Sequence, residues 1–241
     1  MRDLEGKVVV VTGGTRGIGR AIVLEALARG ARVAYCGRTV DGEVPDGAMA
    51  LAADVAREAD VEALFDRTVE AWGRVDVAVC NAGINRDSLL VHTTAERFDE
   101  VIAVNLTGAF LVARRAVQEF LAQGEGGRIV MIGSLSQGGA TSQTAYAASK
   151  GGLTGLCRTI AKEYGHKDIV ANVVAVGLVD TELSRDVPEV YKRFLIERSP
   201  LRRQGTAEEI ARVVAWLSSS RATYINGETI HASGGLTDVP L

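Results

Sequence analysis

Thr12-Gly13-Gly14-Thr15-Arg16-Gly17-Ile18-Gly19 follows the apolar run Val8 to Thr12 without a spacer and opens a segment of helical period. A strand that turns through a few glycines into a helix is the first half of a β-α-β unit, and such units build parallel sheets covered by helices. Glycine permits a tight turn and a close approach of ligand to backbone, and the free N–H groups of the helix N-terminus then suit a pyrophosphate. The short run therefore points to a fold class and to a ligand chemistry together.

The rest of the chain repeats the alternation. Runs rich in Val, Ile and Ala predict strands over Val8 to Thr12, Arg32 to Cys36, Ala48 to Ala52, Val75 to Cys80, Gly127 to Ile132, Ile169 to Val174 and Thr229 to His231. Between them, helical periodicity covers Arg20 to Arg29, Glu58 to Trp72, Ala95 to Leu121, Ala145 to Tyr164 and Ala207 to Ser218. The expected architecture is α/β, a single-domain Rossmann fold over residues 1–241, with a doubly wound parallel sheet of about seven strands and helices on both faces. Thr39 to Gly47 contains Gly42, Pro45 and Gly47 and is too short and too broken for a helix, so an irregular crossover is expected there. The stretch at about 181–205 lacks a strand pattern and carries weak helical character around Val190 to Glu197, which suggests an inserted lid.

Composition narrows the function classes. With 27 Gly but 4 Pro in 241 residues and no repeat, the glycines belong to individual turns rather than to a linker or a collagen-like array. A formal net charge of −3 gives no whole-molecule attraction to nucleic acid or to an anionic membrane, and neither partner is expected. Cys36, Cys80 and Cys157 lie in apolar runs without metal-ligand spacing, so they read as core residues in a reducing compartment, with no metal site. The N-terminal residues lack an apolar signal region and no stretch reaches membrane-spanning length; a cytoplasmic location is expected.

The glycine spacing is G-x-x-x-G-x-G at Gly13, Gly17 and Gly19, and Asp54-Val55, Asn81-Ala82-Gly83, Asn105, Ser134, Tyr146 with Lys150, and Gly177 with Thr181 follow in order. In this the chain resembles the short-chain dehydrogenase/reductase family across nearly its whole length. The resemblance implies a nicotinamide dinucleotide held by Gly13, Thr15, Arg16, Gly17, Ile18 and Gly19, with Asp54 at the adenine amino group and Val55 beside the ring. Asn81, Ala82 and Gly83 would shape the cofactor floor, and Gly177, Val179 and Thr181 would grip the carboxamide. The second strand ends in Cys36-Gly37-Arg38-Thr39 with no carboxylate until Asp41. Arg38, with Arg16 from the other side, suits the 2′-phosphate, so NADP(H) is favoured over NAD.

Tyr146 and Lys150 are four apart in a helical segment and share a face. A phenol is a poor acid–base catalyst near neutrality until something favours its anion, which a neighbouring ammonium does. By resemblance Tyr146 gives a proton to a carbonyl oxygen, Ser134 hydrogen-bonds that oxygen, Lys150 also holds the ribose, and Asn105 helps place a proton-supplying water. Ser136 is an alternative hydroxyl. Two departures stand out: Ala175-Val176-Gly177 replaces the family's Pro-Gly, and Ser134 precedes Tyr146 by twelve positions where relatives commonly have thirteen, which shortens the loop between them.

Within the family the chain is similar to bacterial 3-oxoacyl-[acyl-carrier-protein] reductases and to type II polyketide ketoreductases, through Asn81 to Asp87, Asn105 to Phe110, Ser199 to Arg203 and Asn226 to His231. The resemblance implies NADPH-dependent reduction of a carrier-bound 3-oxoacyl thioester to the 3-hydroxyacyl form, in fatty-acid or polyketide synthesis. A reductase or dehydrogenase of a free ketone, alcohol or sugar is a second reading, and a non-catalytic NADP-binding scaffold a third. An acidic carrier protein calls for a basic mouth; Lys192, Arg193, Arg198, Arg202 and Arg203 stand in the lid, mixed with Glu182, Asp186, Glu189 and Glu197, while Arg114 and Arg115 stand near the end of the long helix Ala95 to Leu121. Leu183, Val190, Phe194 and Leu195 offer apolar lining. The long helices Ala95 to Leu121 and Ala145 to Tyr164 imply, by resemblance, a homotetramer, although the residues alone equally allow a dimer.

Overall fold

The structure, a computed structural model, describes residues 2–185 and 187–236; Asp186 and the side chain of Leu183, both in the expected lid, lie outside it, as do the terminal residues of the expected domain. Seven strands form one sheet in the order β3-β2-β1-β4-β5-β6-β7, every pairing parallel. They are β1 (Val8–Thr12), β2 (Arg32–Gly37), β3 (Ala48–Ala52), β4 (Val77–Cys80), β5 (Gly127–Ser134), β6 (Ile169–Val176) and β7 (Thr229–Ala232). The helices are α1 (Gly17–Ala28), α2 (Glu58–Trp72), α3 (Ala95–Ile102), α4 (Gly108–Gln123), α5 (Thr144–Tyr164), α6 (Glu182–Arg185), α7 (Glu189–Arg198) and α8 (Ala207–Ser218).

Alternation along buried strands sorts their side chains into two cores. Val10, Ala34, Cys36, Ala78, Cys80, Ile129, Met131 and Val173 meet α2, α4 and α5 on one face. Val9, Val11, Val33, Val77, Val79, Val130, Ile132 and Val174 meet α1 and α8 on the other. The helix ends follow local chemistry: Gly73 and Gly124, at φ 75° and 73°, terminate α2 and α4 in the left-handed region, and Thr206 with Glu209 forms a reciprocal capping box on α8.

The expected crossover without a helix joins β2 to β3. Some boundaries shift, β4 starting at Val77 rather than Val75 and α1 at Gly17 rather than Arg20, and two changes bear on the site. The predicted helix Ala95 to Leu121 is interrupted by a π-helical turn, Ala103–Thr107, that separates α3 from α4. Strands β5 and β6 run two residues further than their apolar runs, because Gly133 pairs with Ala175 and Ser134 with Val176. The three cysteines are free and buried, and no helix among the described residues is long and apolar enough to cross a membrane.

Candidate active site

The carboxyl ends of β1 and β4 are tied together by one threonine and one asparagine. Thr12 Oγ1 donates to the Val79 carbonyl at 3.2 Å and accepts from the N–H groups of Asn81 and Ala82 at 3.0 and 3.1 Å. Asn81 Nδ2 donates to the carbonyls of Thr12 and Gly13 at 2.8 and 3.0 Å. Asn81 thus acts as a clamp on the glycine loop, a job the motif did not disclose. A Cβ on Gly13 would lie 2.9 Å from Asn81 Nδ2, and one on Gly19 would collide with the Gly13 carbonyl, so only glycine closes this turn. Arg16 precedes α1 in an extended conformation without a side-chain cap, and no acidic residue stands in the first turn. The leading N–H groups of α1 are left for an anion, and this cradle fits a pyrophosphate.

The flanking residues gather around the same edge. Thr15 packs on Gly37 at the end of β2, where a Cβ would lie 2.7 Å from Thr15 Cγ2, and Ile18 joins the α1 core. Val55 is buried against Gly108, and Asp54 accepts from the Ala56 N–H at 3.0 Å. Arg38 is exposed, and its guanidinium shares no hydrogen bond or ion pair with another described residue. Arg16 instead donates to Glu182 Oε2 at 2.8 Å. Thr181 lies over Gly17, Gly177 is pressed against Ser233, and Val179 bridges to Gly205 beside a cavity of about 230 Å³ that neither Tyr146 nor Lys150 lines.

The candidate reacting groups converge from β5 and α5. Ser134 ends β5, and its Oγ accepts from the Ser136 N–H at 3.1 Å. The hydroxyl that acts on the Tyr146 phenol is that of Ser134, which leaves Ser136 to position Ser134 through its backbone. Lys150, 4% exposed, donates from Nζ to the Ile132 carbonyl at 2.7 Å and lies 5.6 Å from the Tyr146 ring centroid. Burial pushes the Tyr146 phenol up to about 12, the Ser134 hydrogen bond pulls it back, and the Asp87 charge adds to the rise. Burial also brings Lys150 down to about 8, against a smaller opposing pull from Cys80. In the free enzyme burial therefore keeps the phenol protonated near neutrality, and the Lys150 ammonium is engaged by a backbone carbonyl.

Asn105 sits buried in the π-helical turn and holds the loop after β4. Its Oδ1 accepts from Ile84 N at 2.8 Å, and its Nδ2 donates to the Ile84 carbonyl at 2.9 Å and to Ser149 Oγ at 3.1 Å. Ser149 in turn donates to the Tyr146 carbonyl at 2.7 Å. Sequence reading missed the roles of Ser149, Asp87 and Glu182 at the site. Asp87 lay inside a noted segment, while the other two have no spacing signal. The basic surface on α4 also dissolves: Arg115 is paired with Glu62, Asp66 and Glu119, and Arg114 with Glu58. In the lid, Arg203 pairs with Glu209 and Arg198 stacks on Phe194 at 4.3 Å.

Comparison with known proteins gives one consistent neighbourhood. A family model described as enoyl-(acyl carrier protein) reductase matches residues 13–237. The 3-oxoacyl-[acyl-carrier-protein] reductase MabA of Mycobacterium avium is 42% identical over 229 residues, 95% of this chain and 89% of its own. FabG of Escherichia coli, a reductase of the same name, is 36% identical over 97% of this chain and 98% of its own. A short-chain type dehydrogenase/reductase from Mycobacterium marinum superposes with a TM-score of 0.91 at 29% identity, covering 99% of this chain and 98% of that one. Levodione reductase superposes with the same TM-score at 34% identity, covering 97% and 98%.

Proposed function

Since the chain belongs to the short-chain dehydrogenase/reductase family, a group of nicotinamide-dependent oxidoreductases, we propose that it reduces a 3-oxoacyl thioester on an acyl carrier protein to the 3-hydroxyacyl form with NADPH. One observation carries the reading: the Tyr146 phenol, whose burial-raised pKa the Ser134 hydroxyl lowers, has the buried Lys150 ammonium 5.6 Å from its ring centroid on its own helix. Two hydroxyls converging on one point suit a carbonyl oxygen that gains negative charge.

The bound nicotinamide supplies the hydride to the carbonyl carbon. Tyr146, protonated throughout the neutral range with its phenol near 12, gives its proton to the oxygen, and Ser134 donates a hydrogen bond to the same atom. Lys150, charged below about 8, stabilises the phenolate left behind and passes a proton back to it. Asn105, through Ser149, fixes the Tyr146 turn of α5 against the loop after β4. Gly13, Gly17, Ile18 and Gly19 present backbone to the pyrophosphate, with Thr15 closing the turn. Asp54 and Val55 take the adenine, and Arg16 and Arg38 the 2′-phosphate. Ala82 and Gly83 border the nicotinamide side, where a Cβ on Gly83 would lie 3.6 Å from Lys150 Nζ. Gly177, Val179 and Thr181 serve its carboxamide. Carrier docking falls to the cations of the lid, with the α4 arginines paired off, and the enzyme assembles as a homotetramer through α4, where Phe110 is exposed, and α5.

The likeness to levodione reductase favours one rival, reduction of a free cyclic ketone. Assays of the purified chain with acetoacetyl and crotonyl thioesters and with a cyclic diketone, each with NADPH and NADH, separate the readings. Fastest NADPH oxidation with the acetoacetyl thioester is expected. Turnover confined to the crotonyl thioester or to the diketone, or a preference for NADH, contradicts the proposal.

A further inference from the structure

The contact between Arg16 and Glu182 joins residues 166 positions apart. It draws the first turn of the lid onto the N-terminus of α1, where Thr181 already packs over Gly17. The two side chains are 70% and 44% exposed, so solvent screens the pair and a stronger anion can displace the carboxylate. The two arginines assigned to the 2′-phosphate are therefore unequal. Arg38 is uncommitted among the described residues, while Arg16 is held by an anion belonging to the lid.

We propose that Glu182 is an internal competitor for the 2′-phosphate: it occupies Arg16 in the free enzyme, and NADPH moves Arg16 from the carboxylate to the phosphate, freeing the α6 end of the lid. The inference rests on the assignment of Arg16 as a phosphate ligand. A phosphate brings close to two negative charges and three acceptor oxygens against the single charge of a carboxylate, and Arg38 attracts the same dianion, so the exchange runs toward the phosphate. NADH lacks that group and leaves the pair intact. Glu182 thereby weakens NADPH binding by the fraction of Arg16 it holds, and makes release of the lid depend on the phosphorylated cofactor.

Dissociation constants of NADPH and NADH, read from nicotinamide fluorescence on the full chain, test this for the wild type, Glu182→Gln, Arg16→Gln and the double variant. Glu182→Gln is expected to tighten NADPH about 2- to 5-fold, the range of an exposed ion pair, and to leave NADH unchanged. The gain should vanish in the Arg16→Gln background and shrink as ionic strength rises. Equal tightening for both cofactors, or a gain that survives removal of Arg16, overturns the competition. Unchanged NADPH affinity in Glu182→Gln beside a weakened Arg16→Gln overturns the competition alone. An Arg16→Gln variant that binds NADPH like the wild type overturns the assignment of Arg16 beneath it.

Discussion

Lys150 keeps an ammonium where burial opposes charge. Its pKa falls from 10.5 to about 8, a difference of about 3 kcal/mol between the protonation states. Below pH 8 folded and unfolded chains both carry the proton, and the folded one bears the cost of burying it. Between pH 8 and 10.5 the unfolded chain binds more protons, so the stability of the wild type rises with pH across that window. Replacing Lys150 with Met removes the charge but orphans the Ile132 carbonyl, which costs about 1–2 kcal/mol. Lys150→Met is therefore expected to be more stable than the wild type at pH 7 by about 1–2 kcal/mol in urea denaturation, to lose that advantage by pH 10, and to be inactive. A variant less stable than the wild type at pH 7 contradicts this. At the residue scale the nearness of the three proposed reacting residues was legible, because Ser134, Tyr146 and Lys150 keep their order along the chain. The direction of the Tyr146 shift was not, since it depends on how deeply α5 is packed.

Elements whose boundaries coincide with their patterns are those fixed by local chemistry. β1, β3, α2 and α8 span the residues that the apolar runs and helix signals marked. The first helix starts at Gly17 rather than Arg20, because its opening turn is glycine-rich and carries little propensity signal. The π-helical turn at Ala103–Thr107 was invisible, since its composition is ordinary and its extra residue accompanies the tertiary bonds of Asn105. A π turn of this kind often marks a functional position. Asn105→Ala strips partners from both backbone groups of Ile84 and from Ser149 at a buried site. A loss of about 2–3 kcal/mol in urea unfolding is expected, together with a fall in activity as the loop after β4 loosens. A change below about 0.5 kcal/mol, the ordinary range for surface substitutions, contradicts the clamp. Where the family has proline, Val176 keeps β6 in the sheet, paired with Ser134 on β5 and Ala232 on β7.

Across the whole molecule, function follows from where the chain reverses its winding. β1 lies between β2 and β4, so successive connections leave it on opposite sides and a crevice opens at the carboxyl ends of the strands. Thr12, Gly37, Cys80 and Ser134 close or border those ends, which is why one edge collects both the glycine cradle and the proposed reacting hydroxyls. The seven-stranded sheet and the order of its main helices were readable from alternation. The lid contact of Arg16 and the neutralised arginines of α4 were not, because they join elements far apart in sequence. The central claim, carbonyl reduction with Tyr146 as the proton donor, is tested most directly by NADPH oxidation with an acetoacetyl thioester, wild type against Tyr146→Phe. Turnover by the wild type and a loss of at least about 100-fold in the variant, the lower range of general acid catalysis, are predicted. A wild type without turnover, or a variant that retains the wild-type rate, would contradict it.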